Sequence, residues 1–186
     1  MNSLPTLAKR CRELNTQHEI ELIILNPDSD TACNLYAAYR NKVRSGKSTG
    51  IQWDCVAVQN QLFATILFCA KYSIQEPLLR INLYLRNWFT SIRFDFSQSA
   101  LIITREDNRE PAIEILKDTV FYRGFKQEIR ELQSQCANVD LSLVNTNEWD
   151  DSQIEEMLTN LGFKLTDPSQ AEEIRKILSE ASDPYA

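Results

Sequence analysis

Ile92-Arg93-Phe94-Asp95-Phe96 alternates, Ser97-Gln98-Ser99 breaks, and Leu101-Ile102-Ile103-Thr104 returns as a second run of β-formers. Alternation at period two puts every second side chain on one face of a pleated strand, so this stretch predicts a hairpin. Asp107-Asn108-Arg109-Glu110-Pro111 makes the next turn, and Ala112-Ile113-Glu114-Ile115-Leu116 alternates again as a third strand. Asp118 is placed to cap a helix with the stripe Phe121, Phe125, Ile129, Leu132 and Cys136. Residues 139–144 alternate as a last strand. The segment therefore reads as a β-β-β-α-β unit, an antiparallel sheet packed by a helix, and the chain as an α+β fold. Residues 92–144 are expected to be the structural centre, with Phe121 and Phe125 in the core.

Upstream, the first half reads as mostly helical. Leu4, Leu7, Cys11 and Leu14 have helical spacing over residues 3–15, with Pro5 in the first turn, where a missing N–H is harmless. Glu19-Ile20-Glu21-Leu22-Ile23-Ile24-Leu25 predicts a strand, closed by Asn26-Pro27. Ser29 or Asp30 then caps a helix of about 15 residues, a common globular length. Residues 54–89 carry two periodicities. Cys55, Val58, Leu62, Ile66 and Ala70 line one helical face behind Asp54. Ser73 with Glu76 reads as a capping box for a second helix through Leu78, Ile81, Leu85 and Trp88. Leu79, Ile81, Leu83 and Leu85 also alternate with Arg80, Asn82, Tyr84 and Arg86, which is strand spacing. The length of both segments favours the helical hairpin, with strands as the alternative.

After Asn145 the composition turns acidic, with Lys164, Arg175 and Lys176 the only basic residues among many carboxylates. Two short helices are expected, near 151–161 and 169–181. The domain division is 1–145 for a single α+β domain and 146–186 for an acidic helical appendage. Ile154, Leu158, Leu161, Gly162 and Phe163 resemble the first helix and loop of ubiquitin-associated domains. A glycine helix stop followed by an apolar contact accounts for the same residues, and no function is carried over.

The 186 residues have a formal net charge of -6, unevenly spread: residues 1–93 carry a net of +4 and the rest -10. This acidity argues against binding nucleic acid over the whole surface, but leaves room for a local basic patch in the first half. No apolar leader is visible, and no run reaches the roughly 18 apolar residues of a membrane span. Cys11, Cys33, Cys55, Cys69 and Cys136 form an odd, widely spaced set that suits neither a disulfide framework nor a zinc site. Free thiols in a reducing cytoplasm are expected, with no cofactor and no membrane partner.

Several chemical motifs fail on spacing. Gly46-Lys47-Ser48 resembles the end of a phosphate loop, but Asn41 stands where the pattern needs glycine, and a helix precedes it. His18 is the single histidine, so any Cys or Ser nucleophile with a histidine base would have to use it. Asp95, Asp107, Glu110 and Glu114 are candidate metal carboxylates, yet Glu114 and Lys117 fall on opposite strand faces. Arg123, Lys126 and Arg130 are interleaved with Glu128 and Glu131, which suits surface ion pairs.

Arg40, Lys42, Arg44 and Lys47, with Tyr36, Tyr39 and Trp53 nearby, are the candidate ligand-binding residues. Cations beside aromatic rings suit phosphates and stacked bases. Two function classes follow. One is a non-catalytic cytoplasmic interaction subunit or regulator working through a protein partner. The alternative is a small nucleic-acid or phosphate-ligand binder using the basic loop from Arg40 to Lys47. The choice turns on whether that loop merges with Arg80, Arg86 and Arg93.

Overall fold

A computed structural model describes residues 3–44, 52–105, 112–144, 150–167 and 169–180. In chain order the elements are α1 (Ser3–Leu14), β1 (His18–Leu25), α2 (Asp30–Arg44), α3 (Cys55–Gln75) and β2 (Leu79–Arg86). Then come β3 (Ile92–Phe96), β4 (Ala100–Arg105), β5 (Ile113–Leu116), α4 (Val120–Gln133) and β6 (Ala137–Val139). A 3-10 turn (Leu141–Leu143), α5 (Asp151–Asn160) and α6 (Ser169–Glu180) complete it. The fold is α+β, with small antiparallel and mixed sheets covered by helices.

α3 is the axis of the molecule. Asp54 caps it, its carboxylate accepting from Ala57 N at 2.8 Å. Val58, Phe63, Ala64, Ile66, Leu67, Phe68, Cys69 and Ala70 are all at most 2% exposed. A helix that is apolar on every side belongs in a core. α1 and β2 pack on it, as do α5 and α6.

The second half of the expected helical hairpin is a strand. Pro77 ends α3, because the residue before a proline is pushed out of the helical region. From Leu79 to Arg86 the burial then alternates strictly, with Leu79, Ile81, Leu83 and Leu85 inside. Four residues satisfied the helical spacing, whereas all eight satisfy period two. Ser73 sits within the last turn of α3 and caps nothing. β1 lies parallel to β2 over eight pairs, from His18 opposite Leu79 to Leu25 opposite Arg86.

The β-β-β-α-β unit also needs correction. β3, β4 and β5 form their own antiparallel sheet, while β6 pairs with β2, giving a second sheet in the order β1-β2-β6. Of the expected strand 139–144 only Val139 lies in β6, and the 3-10 turn takes Leu141–Leu143, because the chain turns at Asp140. Its carboxylate accepts from Ser142 N at 3.1 Å and from Ser142 Oγ at 2.6 Å. Thr119, not Asp118, caps α4, accepting from Tyr122 N at 3.1 Å; Asp118 takes a left-handed φ of 74°.

Residues 92–144 are not the centre, and Phe121 is 71% exposed. Phe125, Ile129, Leu132 and Cys136 of the expected stripe are partly buried, and Tyr122 takes the place of Phe121 at its start. Tyr122 is 6% exposed, and its hydroxyl donates to Ser97 O at 2.6 Å. Phe125 is half-buried, its ring 5.9 Å from that of Phe94.

The acidic C-terminal helices share the main core. Ile154, Met157, Leu158, Ile174 and Leu178 are at most 2% exposed and belong to the same cluster as α3, β1 and β2. Gly162, at φ 90°, closes α5. Its N–H reaches Thr159 O at 2.9 Å, and Phe163 N reaches Leu158 O at 2.8 Å. Phe163 then packs edge-on against Phe63 at 5.5 Å. Among the described residues, no helix is long and apolar enough to cross a membrane.

Candidate interaction surface

The structure joins Trp53 to Arg40, the first cation of the cation–aromatic set. Asn41 on α2 clamps the backbone of Trp53: Trp53 N donates to Asn41 Oδ1 at 2.9 Å, and Asn41 Nδ2 donates to Trp53 O at 2.8 Å. The indole thereby lies beside the preceding residue of α2, with the Arg40 guanidinium 4.6 Å from its ring centroid. Arg40 also donates to Tyr36 Oη at 3.3 Å. Tyr36 and Tyr39 pack on Phe89 at 5.8 and 5.4 Å. Arg40 and Trp53 thus brace α2 against the start of α3. Lys42 is exposed on α2. Lys47 and the side chain of Arg44 lie outside the described residues.

The other first-half cations are dispersed. Arg80 and Arg86 stand at opposite ends of β2, some 20 Å apart at about 3.3 Å per residue. Arg80 pairs with Glu19 at 3.6 Å, and Arg93 with Asp95 at 2.7 Å. Arg86 is half-buried near Tyr36 and Cys136, and burial pushes its guanidinium below the ordinary arginine range.

Nucleophiles are muted too. Burial pushes the Cys33 thiol up to about 12, with the neighbouring Cys55 and Asp30 adding to it. A thiol held there stays protonated at neutral pH. His18 Nε2 is enclosed and meets no hydroxyl or thiol among the described residues. No three His, Cys, Asp or Glu side chains converge to hold a metal among the described residues.

The feature that sequence reasoning missed lies at the turn between β5 and α4. Leu116 is 60% exposed, Val120 74% and Phe121 71%. The turn is held by Thr119, whose Oγ1 donates to Leu116 O at 2.9 Å while it caps α4. Lys117 N donates to Ser99 O at 2.8 Å. A rigid turn therefore offers three large apolar side chains to solvent. In the sequence Leu116 reads as strand and Phe121 as helix stripe, since periodicity cannot say which side of an element will be covered. Single exposed apolar residues are ordinary; three within six positions on one hydrogen-bonded turn make it the candidate contact surface. Comparisons of the chain with protein families, with curated proteins and with solved structures find no match.

Proposed function

We propose that this chain is a non-catalytic interaction subunit of the cytoplasm, working through a protein partner that covers the β5–α4 turn. The observation that carries the reading is the exposure of Leu116, Val120 and Phe121 together on that turn. The five free thiols suit a reducing compartment. Nucleic-acid or phosphate binding through residues 40–47 has less behind it. Arg40, its first cation, is half-buried and already stacked on Trp53.

A photo-crosslinking amino acid at position 121 tests the reading in living cells, with the polar α4 position 127 as control. A discrete protein adduct at 121, absent at 127 and lost in Val120→Asp, is expected. Equal adducts at both positions, or nuclease-sensitive adducts alone, would overturn it.

A further inference from the structure

Buried cations are ordinarily paired, because an uncompensated charge is costly to remove from water. Arg86, the last residue of β2, departs from that rule. It is half-buried, and its Nε is enclosed with no hydrogen-bond partner among the described residues. The ionisable groups that act on it are Cys136 and Tyr36, and neither is an anion at neutral pH. Cys136 donates its S–H to Leu132 O at 3.3 Å, and burial pushes that thiol up, so it stays protonated. A phenol ordinarily ionises near about pH 10.

The carboxylates that follow β1 turn elsewhere. Asp30 Oδ1 accepts from Gln59 Nε2 at 3.1 Å and from Cys55 Sγ at 3.8 Å. The charge that acts on Asp28 is that of Asp30. Among the described residues, no carboxylate acts on Arg86.

A second guanidinium shares Tyr36. Arg40 donates to Tyr36 Oη at 3.3 Å and stands 5.7 Å from the centre of its ring. Tyr36 packs on Phe89, as does Tyr39, and all three rings are half-buried. Two like charges around one ring, one of them desolvated and unpaired, are a standing electrostatic cost that an anion removes. A guanidinium offers parallel N–H groups that match the edge of a phosphate. Two guanidiniums favour a dianion over a monoanion, since the attraction scales with charge.

We propose that Arg86, supported by Arg40 through Tyr36, binds the phosphate of a small soluble phosphate monoester. The organic body of the ester lies against the half-buried rings of Tyr39 and Phe89. Lys42 and Lys47 take no part, so the site is not the basic loop. It goes beyond the protein-interaction reading and is independent of it. Cys136, beside Arg86, follows the C-terminal end of α4, and the β5–α4 turn lies at the other end, about 20 Å away at 1.5 Å per residue. Phe121→Asp should therefore leave the site unchanged.

The probe is phenyl phosphate, titrated into the full chain at constant ionic strength with chloride as the anion it replaces. The melting temperature should rise with the probe, as for any ligand that binds the folded chain, and the Arg86 Nε–H resonance should move to saturation. Without the probe, Arg86→Met should melt no lower than the parent, because it keeps the packing of the stem and removes an unpaired charge. It should bind phenyl phosphate about tenfold more weakly or worse. Benzoate, with one charge, should bind the parent about tenfold more weakly than phenyl phosphate. The proposal is overturned if neither the melt nor the resonance of the parent responds to phenyl phosphate, or if Arg86→Met responds as the parent does. It is equally overturned if Arg86→Met melts about 5 °C or more below the parent without the probe, or if benzoate binds as tightly. Phosphatidate vesicles carry the same group on a lipid, and co-flotation that Arg86→Met abolishes would overturn the soluble ligand.

Discussion

Gln170 shows how one polar side chain can tie two distant segments together. Its Nε2 donates to Asn60 Oδ1 at 3.0 Å, deep between α3 and α6. Its Oε1 accepts from Thr166 N at 2.7 Å, Thr166 Oγ1 at 2.8 Å and Asp167 N at 3.1 Å. Gln170→Leu leaves buried partners unmet and should cost about 1–3 kcal/mol. Pairing it with Asn60→Leu should cost less than the sum of the two single changes, because the orphaned amide is then gone as well. Denaturant melts of the two singles and the double measure this. The pH response also sits at single residues. Hydrogen bonds from Ser142, from Gln153 and from Ser169 hold the carboxyls of Asp140, Asp150 and Asp167 below the usual range. A folded-state value below the unfolded one adds stability above the unfolded pKa, and that stability is lost as pH falls through the folded one. Stability should therefore begin to decline on acidification through about pH 4, the ordinary aspartate value. The acid limb should be shallower in Asp150→Ala, as read from urea melts between pH 7 and pH 2.

A single clear periodicity made β3 and β4 legible, though the alternating stretch 139–144 leaves the strand after Val139. The hairpin of β3 and β4 falls where alternation put it, with Phe94 opposite Ile103 and Phe96 opposite Leu101. β2 was legible only as the alternative, because Leu78, Ile81 and Leu85 fit a helix while all of 79–86 fit a strand; Pro77 was the deciding residue. In α4 the expected stripe holds at Phe125, Ile129 and Leu132 and fails at its first residue. A hydroxyl-bearing Tyr122 was passed over for Phe121, yet that hydroxyl finds Ser97 O and the ring meets Phe96 at 5.6 Å. The two neighbours should respond in opposite ways. Tyr122→Ala should cost about 3–5 kcal/mol, as for a buried aromatic. Phe121→Ala should stay within about 0.5 kcal/mol, as for an exposed position. Calorimetry of both variants decides it. The cation–aromatic set was legible as a grouping of residues, since Arg40 does meet Trp53. The direction of that contact, inward, was set by Asn41, whose pairing with the Trp53 backbone no composition rule reveals.

For the molecule as a whole, composition marks residue 145 and the core crosses it. Ile154, Met157, Leu158, Ile174 and Leu178 are each at most 2% exposed. At about 1.5–3 kcal/mol for each buried side chain of this kind, they hold roughly as much as a whole domain's stability. A chain ending at Asn145 should lose its cooperative thermal transition and bind a hydrophobic dye, read by calorimetry and fluorescence. The acidic composition of the tail hid this, because the carboxylates lie on the outer faces of α5 and α6 and the inner faces are apolar. The middle of the chain behaves differently. Everything from β3 to α4 lies between β2 and β6, and Leu85 stands directly opposite Ala137, so the two ends of that stretch are about 5.5 Å apart. Its buried members among the described residues, Ala100, Leu101 and Tyr122, lie outside the main cluster. Replacing residues 91–135 with a short glycine–serine bridge should leave a cooperatively melting chain. The stretch is then a cassette on two adjacent anchor points, expected to be exchangeable while the frame that holds it keeps its fold.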